Sequence, residues 1–268
     1  MFKGFNTWLT CFVLLAIVIM NGCSDGEKKD TDTIDNRYEG WKSYTYQNVR
    51  IVYPPNHPHE KKLHKMAVWY GFALRQDCRF LQIPIPQEEL VVYYYTGFGQ
   101  GREMTGHKYP FADSAAIHFW IPSHKGPTLM QYLLPIWLQK EPQYKFLKHG
   151  IITLFDYSGQ DYHEMTHEFY NDTNFIPLTE LVKDTTVDSN IERHQSAEAA
   201  SFVDFLVYTF GTQALRLLYR AEAPFEMATQ GILKVEADSL QTMWTDFIEK
   251  AVRGEIPGQQ SDTTDSNP

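Results

Sequence analysis

The chain has 268 residues, 43% of them hydrophobic and 15% aromatic, with 24 basic against 33 acidic residues and a net charge of -9. That balance argues against nucleic acid and anionic lipid head groups as partners, because the average surface repels both. Three cysteines are too few for a disulfide scaffold, and neither a P-loop nor a G-x-S-x-G serine elbow is present.

Met1 to Lys3 is a short basic start. Trp8 to Met20 is an apolar run too short to span a bilayer comfortably, and Asn21-Gly22-Cys23 follows it. Gly before Cys at this place resembles the signal of a bacterial lipoprotein. The resemblance implies removal of residues 1–22 and acylation of Cys23, which would anchor the chain to a membrane of the bacterial cell envelope. Acyl chains hold a protein on a bilayer at about 0.8 kcal/mol per buried CH₂. Residues 23–37 are polar and acidic without apolar periodicity and read as a flexible tether. Cys11 lies in the signal and Cys23 would carry lipid, so Cys78 has no disulfide partner. Its register with Leu63, Ala67, Tyr70, Leu74 and Leu81 makes it a buried small residue rather than a nucleophile.

Residues 38–253 are enough for one domain with a substantial core. Lys42 to Tyr53 alternates polar with apolar or aromatic residues and reads as a strand with a bulge. A long helix runs from Pro58 to about Leu81, with proline in its first turn. Leu90 to Thr96 is an apolar strand, Gly97, Gly99, Gly101 and Gly106 mark a loop, and Ala115 to Ile121 is a further strand. From there the chain reads as helices: Pro127 to Gln139, kinked at Pro135, Phe146 to Tyr157, Asp161 to Tyr170, a short turn from Ile176 to Val182, Ser196 to Tyr219 broken at Gly211, Pro224 to Leu233 and Ala237 to Val252. Residues 254–268 form a polar tail, expected to be disordered. The fold class is therefore α+β: a small N-terminal sheet with one long helix, then an all-helical C-terminal half.

His163-Glu164-Met165-Thr166-His167 spells HExxH. In a working metallopeptidase two His at this spacing reach one Zn²⁺ from one helix face, and the Glu takes a proton from the metal-bound water. A third ligand comes from later in the chain, and Glu192 stands at an allowed spacing, as does His194. The surroundings suggest something else. Ser158-Gly159-Gln160 is turn-like, and Asp161 followed three residues later by Glu164 reads as a capping box. Glu164 would then bond back to the helix start, and His163 would lie in an exposed first turn.

Three further stretches carry a wider resemblance: Phe146-Leu147-Lys148-His149-Gly150-Ile151, Ile176-Pro177-Leu178-Thr179-Glu180-Leu181, and Ala197-Glu198-Ala199-Ala200-Ser201-Phe202-Val203 with Tyr208-Thr209-Phe210-Gly211. With the layout of residues 41–252 they resemble the gluzincin peptidases, thermolysin-like in fold, and in particular bacterial peptidase-MA-like domains. In that family a sheet edge precedes the zinc helix, and a second helix supplies a Glu as third ligand. The resemblance puts Met130-Gln131-Tyr132-Leu133-Leu134 where the family has HExxH, and His149 where it has the Glu. It thus implies a zincin-like domain that has lost its catalytic residues, keeps the cleft as a peptide groove and needs no cofactor. The alternative is an active zinc endopeptidase using His163, Glu164, His167 and Glu192.

Two smaller features remain. His57, His59, Glu60 and His64 crowd one helix start, where they read as a solvated first turn rather than a metal clasp. Tyr93-Tyr94-Tyr95 puts aromatics on both faces of one strand, which reads as a sheet covered on both sides, with a peptide- or glycan-binding face as the other reading.

Overall fold

The computed structural model describes residues 36–183 and 192–256. Cys23, the signal segment 1–22 and most of the tether and tail lie outside the described residues. The chain divides into two units at Glu39 and Gly40. In the first, a single 3-10 turn covers Asn36–Tyr38; the rest of the structure belongs to the second.

That unit is α+β, as its periodicities indicate. The sheet has strands β1 (Lys42–Tyr46), β2 (Val49–Tyr53), β3 (Leu90–Tyr94), β4 (Phe111–Ala112) and β5 (Ala116–Phe119), in the order β1-β2-β3-β5-β4. The three middle strands β2, β3 and β5 are parallel, and the two edges are antiparallel. Lys42–Tyr53 is thus a hairpin, not one bulged strand. Gln47, at φ 53°, turns the chain so that Tyr46 pairs with Val49.

One sheet face carries Val49, Ile51, Leu90, Val92, Ile117 and Phe119, all buried. Helix α1 (Leu63–Leu81) covers its β1-β2 side, and α3 (Lys125–Leu138) covers its β5-β4 side. The other face carries Arg50, Val52, Val91 and Tyr93, each half-buried, so the sheet is not fully covered on both sides. The glycine-rich run is not a loop. Helix α2 (Phe98–Thr105) opens directly after β3. Gln100 Oε1 accepts from the Thr96 N–H at 2.8 Å, which secures the first turn. Gly101 is needed because a Cβ there would lie 2.4 Å from the Trp120 ring.

The helical half comprises α4 (Lys145–Leu154), α5 (Tyr162–Asn171), α6 (Leu178–Leu181), α7 (Glu192–Phe210), α8 (Thr212–Arg220), α9 (Phe225–Ile232) and α10 (Ala237–Val252). Helix α4 stops three residues short of Tyr157, because Tyr157 adopts φ 56° and turns its hydroxyl to Asp77 on α1 at 2.5 Å. Helix α7 is the hub, packed by α4, α5, α8 and α10. Its contact with α4 is closest at Gly150, where a Cβ would lie 2.3 Å from the Ala199 carbonyl oxygen. Gly211, at φ 84°, separates α7 from α8 where the sequence shows a break. No helix among the described residues is long and apolar enough to cross a membrane.

Candidate functional site

The HExxH motif occupies α5. Asp161 is its N-cap: one side-chain oxygen accepts the N–H groups of His163 at 2.8 Å and Glu164 at 3.0 Å. Glu164 is exposed. His163, expected in an exposed first turn, is instead 4% exposed. A cap marks where a helix begins, not which way its first turn faces. Here α5 lies against α7 and α10, and that packing turns His163 inward.

Both imidazole nitrogens of His163 are engaged. Nδ1 lies 2.9 Å from Ser201 Oγ and Nε2 lies 2.9 Å from Asp204 Oδ2, both on α7. Trp244 Nε1 on α10 donates to the same Ser201 oxygen at 3.1 Å. The Ser201 proton is then available to Nδ1, and Nε2–H donates to Asp204, so one tautomer satisfies the chain from Trp244 to Asp204. Ser201 is fully buried beneath these contacts, so the Ser-His-Asp set offers no substrate a nucleophile.

The other motif residues do not converge on His163. His167 is half-buried, with Nδ1 3.3 Å from the Asn171 amide. The side chain of Glu192 lies outside the described residues, and His194 stacks on Phe169 with centroids 4.0 Å apart. No three His, Cys, Asp or Glu side chains among the described residues stand in a ligand group. A zinc ion needs a free nitrogen from each His and a carboxylate beside its water. Both nitrogens of His163 are bonded within the fold, so His163 and His167 as arranged do not fit a zinc ion.

A concavity of another kind lies between sheet edge and helices. A cleft of about 430 Å³ is lined by Ala112 of β4, Gln131, Leu134 and Pro135 of α3, Lys148 of α4, Tyr219 of α8 and the connecting residues Gln139, Lys140 and Glu141. Its floor is apolar at Leu134 and Tyr219. Its rim is polar and paired: Lys148 Nζ meets both Glu141 oxygens at 2.7 Å, and Lys140 Nζ meets Glu222 at 2.7 Å. Lys140 holds the Glu222 carboxyl below its ordinary range. Gln131 and Leu134, two of the residues aligned with the HExxH place, face this cleft. His149 does not. It lines a separate shallow hollow with Phe146, Leu181, Gln195 and Ala199, and Lys148 faces the cleft instead. Lys148 and Tyr219 carry no sequence signal of a cleft beyond their helical phase on α4 and α8.

Among the described residues, two carboxyls are buried without a cation. Glu198 on α7 is fully buried, and its two oxygens accept the Ile176 N–H at 3.1 and 3.3 Å. Burial pushes its pKa up to about 8. Asp77 is also fully buried, and burial pushes it up to about 7 against the opposing pull of the Tyr157 hydroxyl. Both serve the fold, Glu198 by fixing the approach to α6 and Asp77 by fixing the chain after α4.

The remaining clusters are structural. His57 is buried, bonded to the Tyr95 carbonyl at 3.1 Å and accepting the His59 N–H at 3.1 Å, while His64 meets the Tyr44 hydroxyl at 2.8 Å. His118 sits between the Tyr95 hydroxyl at 2.8 Å and Asp113 at 3.2 Å. Cys78 is buried on the inward face of α1, and burial pushes its thiol up to about 11, away from thiolate chemistry. No family model, curated protein or solved structure matches the chain.

Proposed function

We propose that the protein is a membrane-anchored envelope lipoprotein whose metallopeptidase-like domain binds extended polypeptide without cleaving it. The observation that carries this reading is the cleft beside β4. It lies between a sheet edge and the two helices that the zincin resemblance aligns with the zinc-binding pair, and Gln131 and Leu134 face it in place of a base and a ligand. An antiparallel edge offers backbone groups to an extended chain, and the apolar floor with paired charges on the rim suits side chains of mixed type. The departure of His149 from the cleft leaves it without the third ligand of an active enzyme.

Fluorescence anisotropy with labelled unstructured peptides tests the cleft, using Gln131→Trp to fill it from a half-buried position. Binding by the wild type, weakened about tenfold in the variant, supports the reading, and equal binding by both sinks it. The peptides should emerge intact after prolonged incubation with added zinc. About one zinc per chain by mass spectrometry, lost in His167→Ala, together with cleavage lost in Glu164→Gln, would establish the peptidase instead. Fatty-acid labelling that disappears in Cys23→Ser tests the anchor.

A further inference from the structure

The outward face of α1 concentrates charge opposite in sign to the whole. Between Lys61 and Arg79 the chain carries Lys61, Lys62, Lys65, Arg75 and Arg79, and its one acid is Asp77. Asp77 points inward, fully buried and held by the Tyr157 hydroxyl, so it neutralises nothing at the surface. Nearby acids are engaged within the fold: Glu60 accepts from Tyr53 and Lys42, and Asp156 accepts from the Ser158 N–H and the Tyr162 hydroxyl.

At 100° per residue, Lys65, Val68, Phe72 and Arg79 fall within one narrow arc of the helix. Val68 is 40% and Phe72 48% exposed in the middle of that basic stripe. Trp69 flanks it, with Lys125 Nζ 4.4 Å from its ring and the 39%-exposed Tyr157 packed edge-on at 5.3 Å. The helix meets the sheet and α3 through its other side. The exposed surface is thus a convex crest of apolar and aromatic side chains within a basic border.

We infer that this face of α1 docks on an anionic lipid bilayer. A single convex helix presents no groove to grip a folded partner, but it can lay Val68, Phe72 and the Trp69-Tyr157 pair at the level of lipid head groups. Long Lys and Arg side chains beside them reach lipid phosphates while their stems stay on apolar surface. The net charge of -9 argues against such lipids only as an average; the segregation onto α1 reverses the sign locally. This inference deepens the anchored reading. It rests on that reading in one respect: acylation of Cys23 would bring the chain to a bilayer.

The test uses the chain from Ser24 onward without lipid, so that its outcome is independent of acylation. Co-sedimentation with phosphatidylcholine vesicles is compared with vesicles that also contain phosphatidylglycerol. The expected result is binding to the second alone, weakening as salt rises. Each basic residue near such a surface is worth roughly fivefold in partitioning, so Lys65→Glu with Arg75→Glu and Arg79→Glu should reduce binding more than tenfold. Phe72→Ser should reduce it several-fold. All these side chains are exposed, and an unchanged melting temperature would show that the variants fold. No binding, equal binding to both vesicles, or binding indifferent to these substitutions would overturn the inference. Failure here leaves the cleft and the acylation of Cys23 to their own tests.

Discussion

Two polar clusters of the same unit behave in opposite ways. Around His163, each hydrogen-bonding group has a partner inside the protein, and His163, Ser201 and Trp244 are buried, with Asp204 part-exposed at the edge. Around Gln131, polar groups line an open cleft and pair across its rim. The closed cluster carries the catalytic spelling, and the open one carries none of it. Chemistry follows access and free valence rather than letters: an imidazole with both nitrogens bonded is a tie between helices, whereas an amide at a cleft wall is available to a ligand.

The largest expected effect comes from breaking the closed cluster. His163→Ala removes the imidazole between Ser201 and Asp204, and should cost about 3 kcal/mol in urea unfolding. Gln131→Ala should change stability by less than about 0.5 kcal/mol in the same assay. If the two are equal, the contrast between closed and open clusters is wrong.

Next in size is a pH effect from Glu198. Its pKa in the folded protein is raised from 4.5 to about 8, so the unfolded chain releases the proton first as pH rises. The stabilisation is fully present below about pH 4.5 and is lost as pH rises through 8. The loss is of the order of a few kcal/mol, and Asp77, raised to about 7, adds to it in the same direction. Glu198→Gln can still accept the Ile176 N–H, so denaturation across this range should show a flatter profile and a variant more stable than wild type at the alkaline end. The smallest effect belongs to Glu164→Ala. With Glu164 exposed, stability should stay within about 0.5 kcal/mol and zinc content should not move.

Much of the fold was legible because local signals and packing agreed. An apolar run marked β3, Gly211 marked the break between α7 and α8, and Asp161 marked the start of α5, while the alternation over Lys42–Tyr53 showed strand but not the hairpin turn at Gln47. What failed needed long-range knowledge. Glycines at 97, 99 and 101 lower helix propensity, and only the close Trp120 ring explains why one is required inside α2. Tyr157 fits the apolar pattern of α4 but leaves it for Asp77, eighty positions away in sequence. The inward face of His163 depends on α7 and α10, and Asp204 carries no local sign that it will meet an imidazole. Likewise, a whole-chain charge of -9 conceals a basic α1 until the fold shows which side chains share a face.

The close approach of α4 and α7 has a dynamic consequence. With Gly150 set against the Ala199 carbonyl and Phe146 against Phe202 beside it, the two helices are held at close range and have little room to slide. Sub-global opening there has to separate both helices along their contact at once, so their amides should be among the slowest in the molecule to exchange with deuterium. The α3 end of the cleft, where Gln139 caps the helix in the left-handed region, is where a bound peptide would be felt as altered exchange.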